Sequence, residues 1–259
     1  MACGFAPGII AARRRGGRGG RVSRRLPSWA GWGLALAVAA ACCGLGTWQL
    51  QRMHAKQALL DASAQVLAER RPQPLALAAD PARARGYDWA SGRGRFADLP
   101  AVLLDNQNRD SRPGVRAYRV FEPEDGLPLL VDLGWLPLPG DRRMPQVPPP
   151  AAGTIEASGL LLPPPARGLA APAVQRQADG TALVVALEPA AVAAALGLPA
   201  LAPRVLRLDP ELPLGYARDL ELLPNTLPPQ RHLGYAVQWF ALAAAALAIA
   251  LVLTLRRRR

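Results

Sequence analysis

Between residues 55 and 231 the chain has neither histidine nor cysteine. That stretch can hold no disulfide framework, no cysteine-based metal site and no Ser-His-Asp or Cys-His arrangement of its own. A conventional hydrolase does not fit it. Acidic residues are missing from both ends, where seven arginines fall between Arg13 and Arg25 and four more are Arg256 to Arg259. The formal net charge of +12 is therefore a property of the tails. Setting those 11 arginines aside leaves 20 basic against 19 acidic residues, a net of +1, so no basic groove for nucleic acid is expected. Lysine is nearly absent, with Lys56 alone. The abundance of Ala, Arg and Pro is read as base composition of the gene, not as function.

What the chain does have is two long uncharged runs. Residues 30–47 are built mostly from Ala, Leu, Val, Gly and Cys and span about 27 Å as a helix, enough to cross a bilayer. Residues 233–255 form a second run, interrupted only by Tyr235, Gln238 and Thr254, with length to spare for a tilted span. Arginine tails mark the cytoplasmic side, so 1–29 and 256–259 are expected there and residues 48–232 on the opposite side. The predicted class is an α+β membrane protein, two transmembrane helices flanking a β-rich extracytoplasmic domain. A bacterial inner membrane is the first expectation, with both termini cytoplasmic, and the mitochondrial inner membrane the alternative, since the Arg-rich start also suits a transit peptide. The first run has rival readings as a cleaved signal peptide or, at Ala39-Ala40-Ala41-Cys42, a lipoprotein processing site. Ser23-Arg24-Arg25 is also similar to a twin-arginine signal, although Pro27 follows it.

No Gly or Pro interrupts residues 48–71, so the first helix is expected to run on out of the membrane until Pro72 and Pro74 stop it. Beyond them Pro and Gly divide the chain into short apolar runs. Strands are predicted at 101–104, 129–135, 154–162, 183–187 and 205–208, with turns at Pro113-Gly114, Asp125-Gly126, Pro139-Gly140 and Asp179-Gly180. One short helix is predicted at 189–196, and proline-rich loops at 145–150 and 163–165. The domain is expected to be a barrel or a sandwich.

Two local patterns stand at corresponding ends of the apolar runs: Leu45-Gly-Thr-Trp-Gln-Leu-Gln-Arg52 after the first, and Arg231-His-Leu-Gly-Tyr-Ala-Val-Gln-Trp-Phe240 at the start of the second. Topology gathers Trp48, Gln49, Arg52, His232, Tyr235 and Trp239 near one membrane surface. His232, Tyr235 and Trp239 follow one another at i, i+3 and i+7, a shared helix face on which a large flat ligand fits. An imidazole flanked by aromatics suits an axial ligand of haem iron, and Arg52 suits a haem propionate. The bland alternative is that Trp and Tyr collect at membrane interfaces for solvation reasons and Arg52 marks the headgroups. Gln238 within the second run is expected to face another helix. His54, as a second iron ligand, and Cys42 with Cys43, as a copper site, weigh less; the cysteines read better as small packing residues.

Both patterns, with Leu104-Asp105-Asn106, Pro113-Gly114 and Val131-Asp-Leu-Gly-Trp-Leu-Pro137, resemble the Surfeit locus protein 1 family of cytochrome oxidase assembly factors. The resemblance implies two membrane helices around an extracytoplasmic β-rich domain and no catalysed reaction. It also implies haem a as cofactor, handed to the catalytic subunit of cytochrome oxidase, with haem a synthase as a further partner. The family usually has an Arg before Gly-Trp, where this chain has Leu133, so that block is read as a buried strand with close backbone approach. Two other functions stay open: a cofactor-free scaffold making protein contacts only, and an envelope enzyme using carboxylates such as Asp105 and Asp132.

Overall fold

The structure is a computed structural model that describes residues 28–141, 143–150, 152–166, 173–221 and 227–259. The basic tail up to residue 27, with Ser23-Arg24-Arg25, lies outside them. Two compact units form, one from the outer parts of the two end helices and the other from residues 47–237. Helix α1 (Ser28–Glu69) is continuous over 42 residues, so the expected apolar run and its extension are one helix. Arg70, at φ 41°, ends it before Pro72 is reached. Helix α3 (Pro229–Arg258) carries the second run. Both are long and apolar enough to cross a membrane.

In the first unit, residues that lose exposure recur three and four apart. On α1 they are Trp32, Ala35, Ala39, Cys42 and Gly46; on α3 they are Trp239, Ala243, Ala246, Ala250 and Thr254. This is the spacing of a knobs-into-holes seam, and small residues let the backbones approach. A Cβ on Gly46 would lie 2.8 Å from the Phe240 ring. Trp32 Nε1 donates to Thr254 Oγ1 at 3.0 Å, an interhelical bond between two otherwise apolar surfaces. The outward faces are apolar as well, with Leu34, Leu36, Val38, Leu242, Ile249 and Leu253 exposed. Helices of a soluble protein keep their outward face polar; an apolar face on every side suits hydrocarbon.

The second unit is built on a mixed sheet that has nine strands among the described residues. Its strands are β1 (Gln73–Pro74), β2 (Asp88–Phe96), β3 (Val102–Arg109), β4 (Arg112–Pro123), β5 (Leu129–Pro137), β6 (Ile155–Leu162), β7 (Val174–Arg176), β8 (Ala182–Val184) and β9 (Val205–Leu208), with helix α2 (Pro189–Leu196) between β8 and β9. Strand β2 pairs with both β6 and β4, which closes β2-β6-β9-β5-β4 into a ring, and β3, β8 and β7 continue from β4 as a flap. Of the two expected architectures the ring is the barrel. Its inside is filled by Leu103, Val115, Phe121, Leu129, Leu161 and Leu206. A second core of Val102, Tyr118, Val120, Leu130, Leu160 and Val205 lies on the opposite faces and is covered by Val192 and Leu196 of α2 and by Val66 and Leu67 of α1. Both faces of several strands are buried, which is why they read as continuous apolar runs and not as alternations.

The turn expected at Pro113-Gly114 is corrected: those residues lie inside β4, and the hairpin turns at Asp110-Ser111, both at positive φ. Strand β2, with sequence Asp-Trp-Ala-Ser-Gly-Arg-Gly-Arg-Phe, is not among the expected strands either. Glycine is tolerated there because β2 is approached closely; a Cβ on Gly94 would come 2.3 Å from the Glu122 carbonyl oxygen.

Among the described residues four arginines sit within the domain core, and the fold supplies each with oxygen. Arg204, fully buried, makes two bonds of 2.7 Å to Asp88 and a third of 3.1 Å to the Arg83 carbonyl. Asp132 accepts from Arg116 at 2.6 Å and from Arg207 at 3.3 Å. Arg119 donates to the carbonyls of Leu99 and Val147. Burial pushes the Arg204 and Arg119 guanidinium groups down from their ordinary value, opposed by Asp88 at Arg204 and by Tyr216 and Asp98 at Arg119. At Arg116 burial also lowers the value, but Asp132, Tyr118 and Asp219 together outweigh it and the net shift is upward.

Candidate functional site

The second unit brings Gln49 of α1 against His232 of α3. His232 Nδ1 lies 2.8 Å from Gln49 Oε1. The His232 ring is buried, and its Nε2 has no hydrogen-bond partner among the described residues. Sequence spacing explains the meeting. Within this unit α1 turns Gln49, Met53, Lys56 and Leu60 inward, and α3 turns Pro229, His232 and Ala236 inward, again three and four apart. Gln49 and His232 thus occupy positions where a helix seam ordinarily carries apolar side chains. A buried imidazole nitrogen with no partner costs free energy unless something else uses it. A metal ion is one such user, since neutral imidazole is the commonest metal ligand and its second nitrogen is ordinarily held by an acceptor.

The other expected site residues separate into two groups. Trp48, Arg52 and Tyr235 belong to the same unit and are exposed beside the seam. Tyr235, three residues from His232, stands about 60° round the helix, given 100° per residue, so it flanks the seam while His232 lines it. Trp239 belongs to the other unit, where it packs on Ala39, Cys42 and Ala243. His54 is exposed on the outer side of α1. Cys42 is buried in the same small cluster as Trp239, as the packing reading expects, and Cys43 is exposed. Among the described residues no three His, Cys, Asp or Glu side chains come together as a metal cage. A single imidazole that completes the coordination of an iron already held by a macrocycle needs no such cage.

One contact here escaped the sequence reading: Lys56 Nζ donates to the Leu227 carbonyl at 2.6 Å. Lys56 lies seven residues beyond Gln49, two helical turns along the same seam, and that spacing was the available signal.

The carboxylates of the enzyme reading do other work. Asp132 is 1 % exposed and committed to Arg116 and Arg207, and its second oxygen accepts from the Gly134 amide at 3.0 Å. Asp105 Oδ1 accepts from the Asn106 amide. In the Val131–Pro137 block Leu133 is an extra residue in the ladder, because Ala117 pairs with Gly134 and Tyr118 with Asp132. Its side chain enters the barrel core. Gly134 has φ +117°, and a Cβ there would lie 2.9 Å from the backbone of Tyr216 and Ala217, the close approach expected of that block.

A comparison with curated proteins finds no match. The family model described as the SURF1 family matches residues 36–244, from within α1 to within α3 and across the whole barrel. This family is known in cytochrome oxidase assembly and is membrane-associated. With well over half its length matched, the chain belongs to the SURF1 family.

Proposed function

We propose that this protein is anchored by α1 and α3 in a bacterial inner membrane and serves the assembly of a haem-copper cytochrome oxidase by holding haem a and presenting it to the catalytic subunit. Membrane anchoring is supported by two helices with apolar outward faces, and orientation by arginine tails that belong on the cytoplasmic side. The observation that carries the haem reading is the buried His232 ring, with Nδ1 engaged and Nε2 left over. His232 would ligate the iron through Nε2, Arg52 would pair with a propionate, and Trp48 and Tyr235 would flank the macrocycle. The haem is cargo here, and its redox chemistry belongs to the oxidase that receives it. Since Nε2 is covered, loading requires the seam around His232 to open. A covered ligand suits a carrier that must hold its cargo away from water and then release it. Haem a synthase is the natural donor.

In membranes of a strain lacking the protein, the reduced-minus-oxidised spectrum is expected to lose most of its haem a signal. The wild-type chain should restore it and the His232→Ala chain should not. An unchanged oxidase spectrum in the deletion strain would refute the assembly role. Full restoration by His232→Ala would refute the ligand role and favour the cofactor-free scaffold.

A further inference from the structure

His232 has two ring nitrogens, and the fold treats them unequally. A glutamine amide oxygen only accepts hydrogen bonds, so a 2.8 Å contact from Gln49 Oε1 to Nδ1 requires the ring proton on Nδ1. A neutral imidazole protonated at Nδ1 carries its lone pair on Nε2, the atom that is buried and without a partner among the described residues. Free imidazole side chains favour the opposite tautomer. We infer that Gln49 is a positioning residue that imposes the Nδ1–H tautomer on His232 and so keeps Nε2 ready as a ligand atom. The haem part of this inference rests on the reading above; the tautomer does not.

The geometry separates this role from a simpler one. A polar pair in a helix seam can serve merely to fix register, as a buried Asn does in a coiled coil. Register is satisfied by any polar pair that fits. Imposing a tautomer needs an acceptor held at one nitrogen and no acceptor at the other; the contact presents the Gln49 amide oxygen to Nδ1, and Nε2 has no partner among the described residues. Arg52 and Lys56, the cations of α1 on either side, donate only and cannot replace Gln49 as acceptor. Gln49 is moreover half-buried, held one turn from Met53 on the inward line of α1, so its amide is confined near the ring.

The chain has two histidines, so the full-length protein labelled with 15N-histidine in detergent micelles gives four imidazole nitrogen signals, and a His54→Gln variant assigns them. Without haem, His232 is expected to show a protonated, pyrrole-type Nδ1 and an unprotonated, pyridine-type Nε2. In Gln49→Met that pattern should give way to a mixture or to the Nε2–H form, and in Gln49→Glu it should persist. With haem a bound, Gln49→Met is expected to weaken affinity about ten- to a hundredfold, the usual cost of losing a second-shell partner. Gln49→Glu, a stronger acceptor, should shift the midpoint potential downward. A proton on Nε2 in the wild-type protein would overturn the inference, as would a Gln49→Met protein with unchanged tautomer and affinity. Failure of the wild-type protein to bind haem would sink the haem reading while leaving the tautomer result standing.

Discussion

Asp132 is the residue on which two of the buried arginines, Arg116 and Arg207, depend. It is almost completely buried and answers both Arg116 and Arg207, side chains that are themselves buried. Replacing it with Asn leaves two guanidinium groups short of a counter-charge, and breaking a buried pair in this way costs on the order of 3–5 kcal/mol. Asp132→Asn should therefore lower the thermal midpoint of the detergent-solubilised protein sharply, measured by near-ultraviolet circular dichroism. The exposed Arg95–Glu122 pair is the internal control, because solvent screening leaves such pairs under about 1 kcal/mol. Equal loss from Asp132→Asn and Glu122→Gln would contradict this account. None of these pairings was legible in the sequence. Arg204 and Asp88, 116 positions apart, meet only because β9 and β2 border the same strand, β6. His232 was legible, because one histidine at the head of an apolar run has few neighbours to choose among. That Gln49 rather than Arg52 reaches it depends on which α1 residues turn inward, which motif spacing alone did not decide.

Elements were readable where their physics is local. Helix α2 runs over Pro189–Leu196 as expected, with Pro at its start and Gly197 in the left-handed conformation at its end, both common helix boundary signals. Strands β5, β6 and β9 lie within two residues of the apolar runs that announced them. Strands β2 and β4 went unread because their apolar residues are diluted by Gly and Arg, whose burial depends on partners elsewhere in the chain. The bulge at Leu133 and Gly134 shows the same dependence. Its glycine is required by a positive φ and by the backbone of Tyr216 and Ala217 pressing on it. Gly134→Ala should destabilise the domain by on the order of 1–3 kcal/mol, read as a lower thermal midpoint. No change in midpoint would mean the bulge relaxes without cost.

For the molecule as a whole, charge is divided by position. Arginine without acidic partners lies at the ends, the middle balances its charges to near neutrality, and the two end helices present apolar residues outward. This division makes the two-helix layout legible in the sequence, since it reflects transfer between water and hydrocarbon and not the packing of particular side chains. The family match covers the same layout from α1 to α3. The central claim is that His232 holds haem, and a visible absorption spectrum tests it most directly. The detergent-purified protein is co-expressed with the enzymes that make haem a, beside His232→Ala. A haem signal in the wild-type protein that is lost on substitution is the predicted result; no haem in either protein, or equal haem in both, would contradict it.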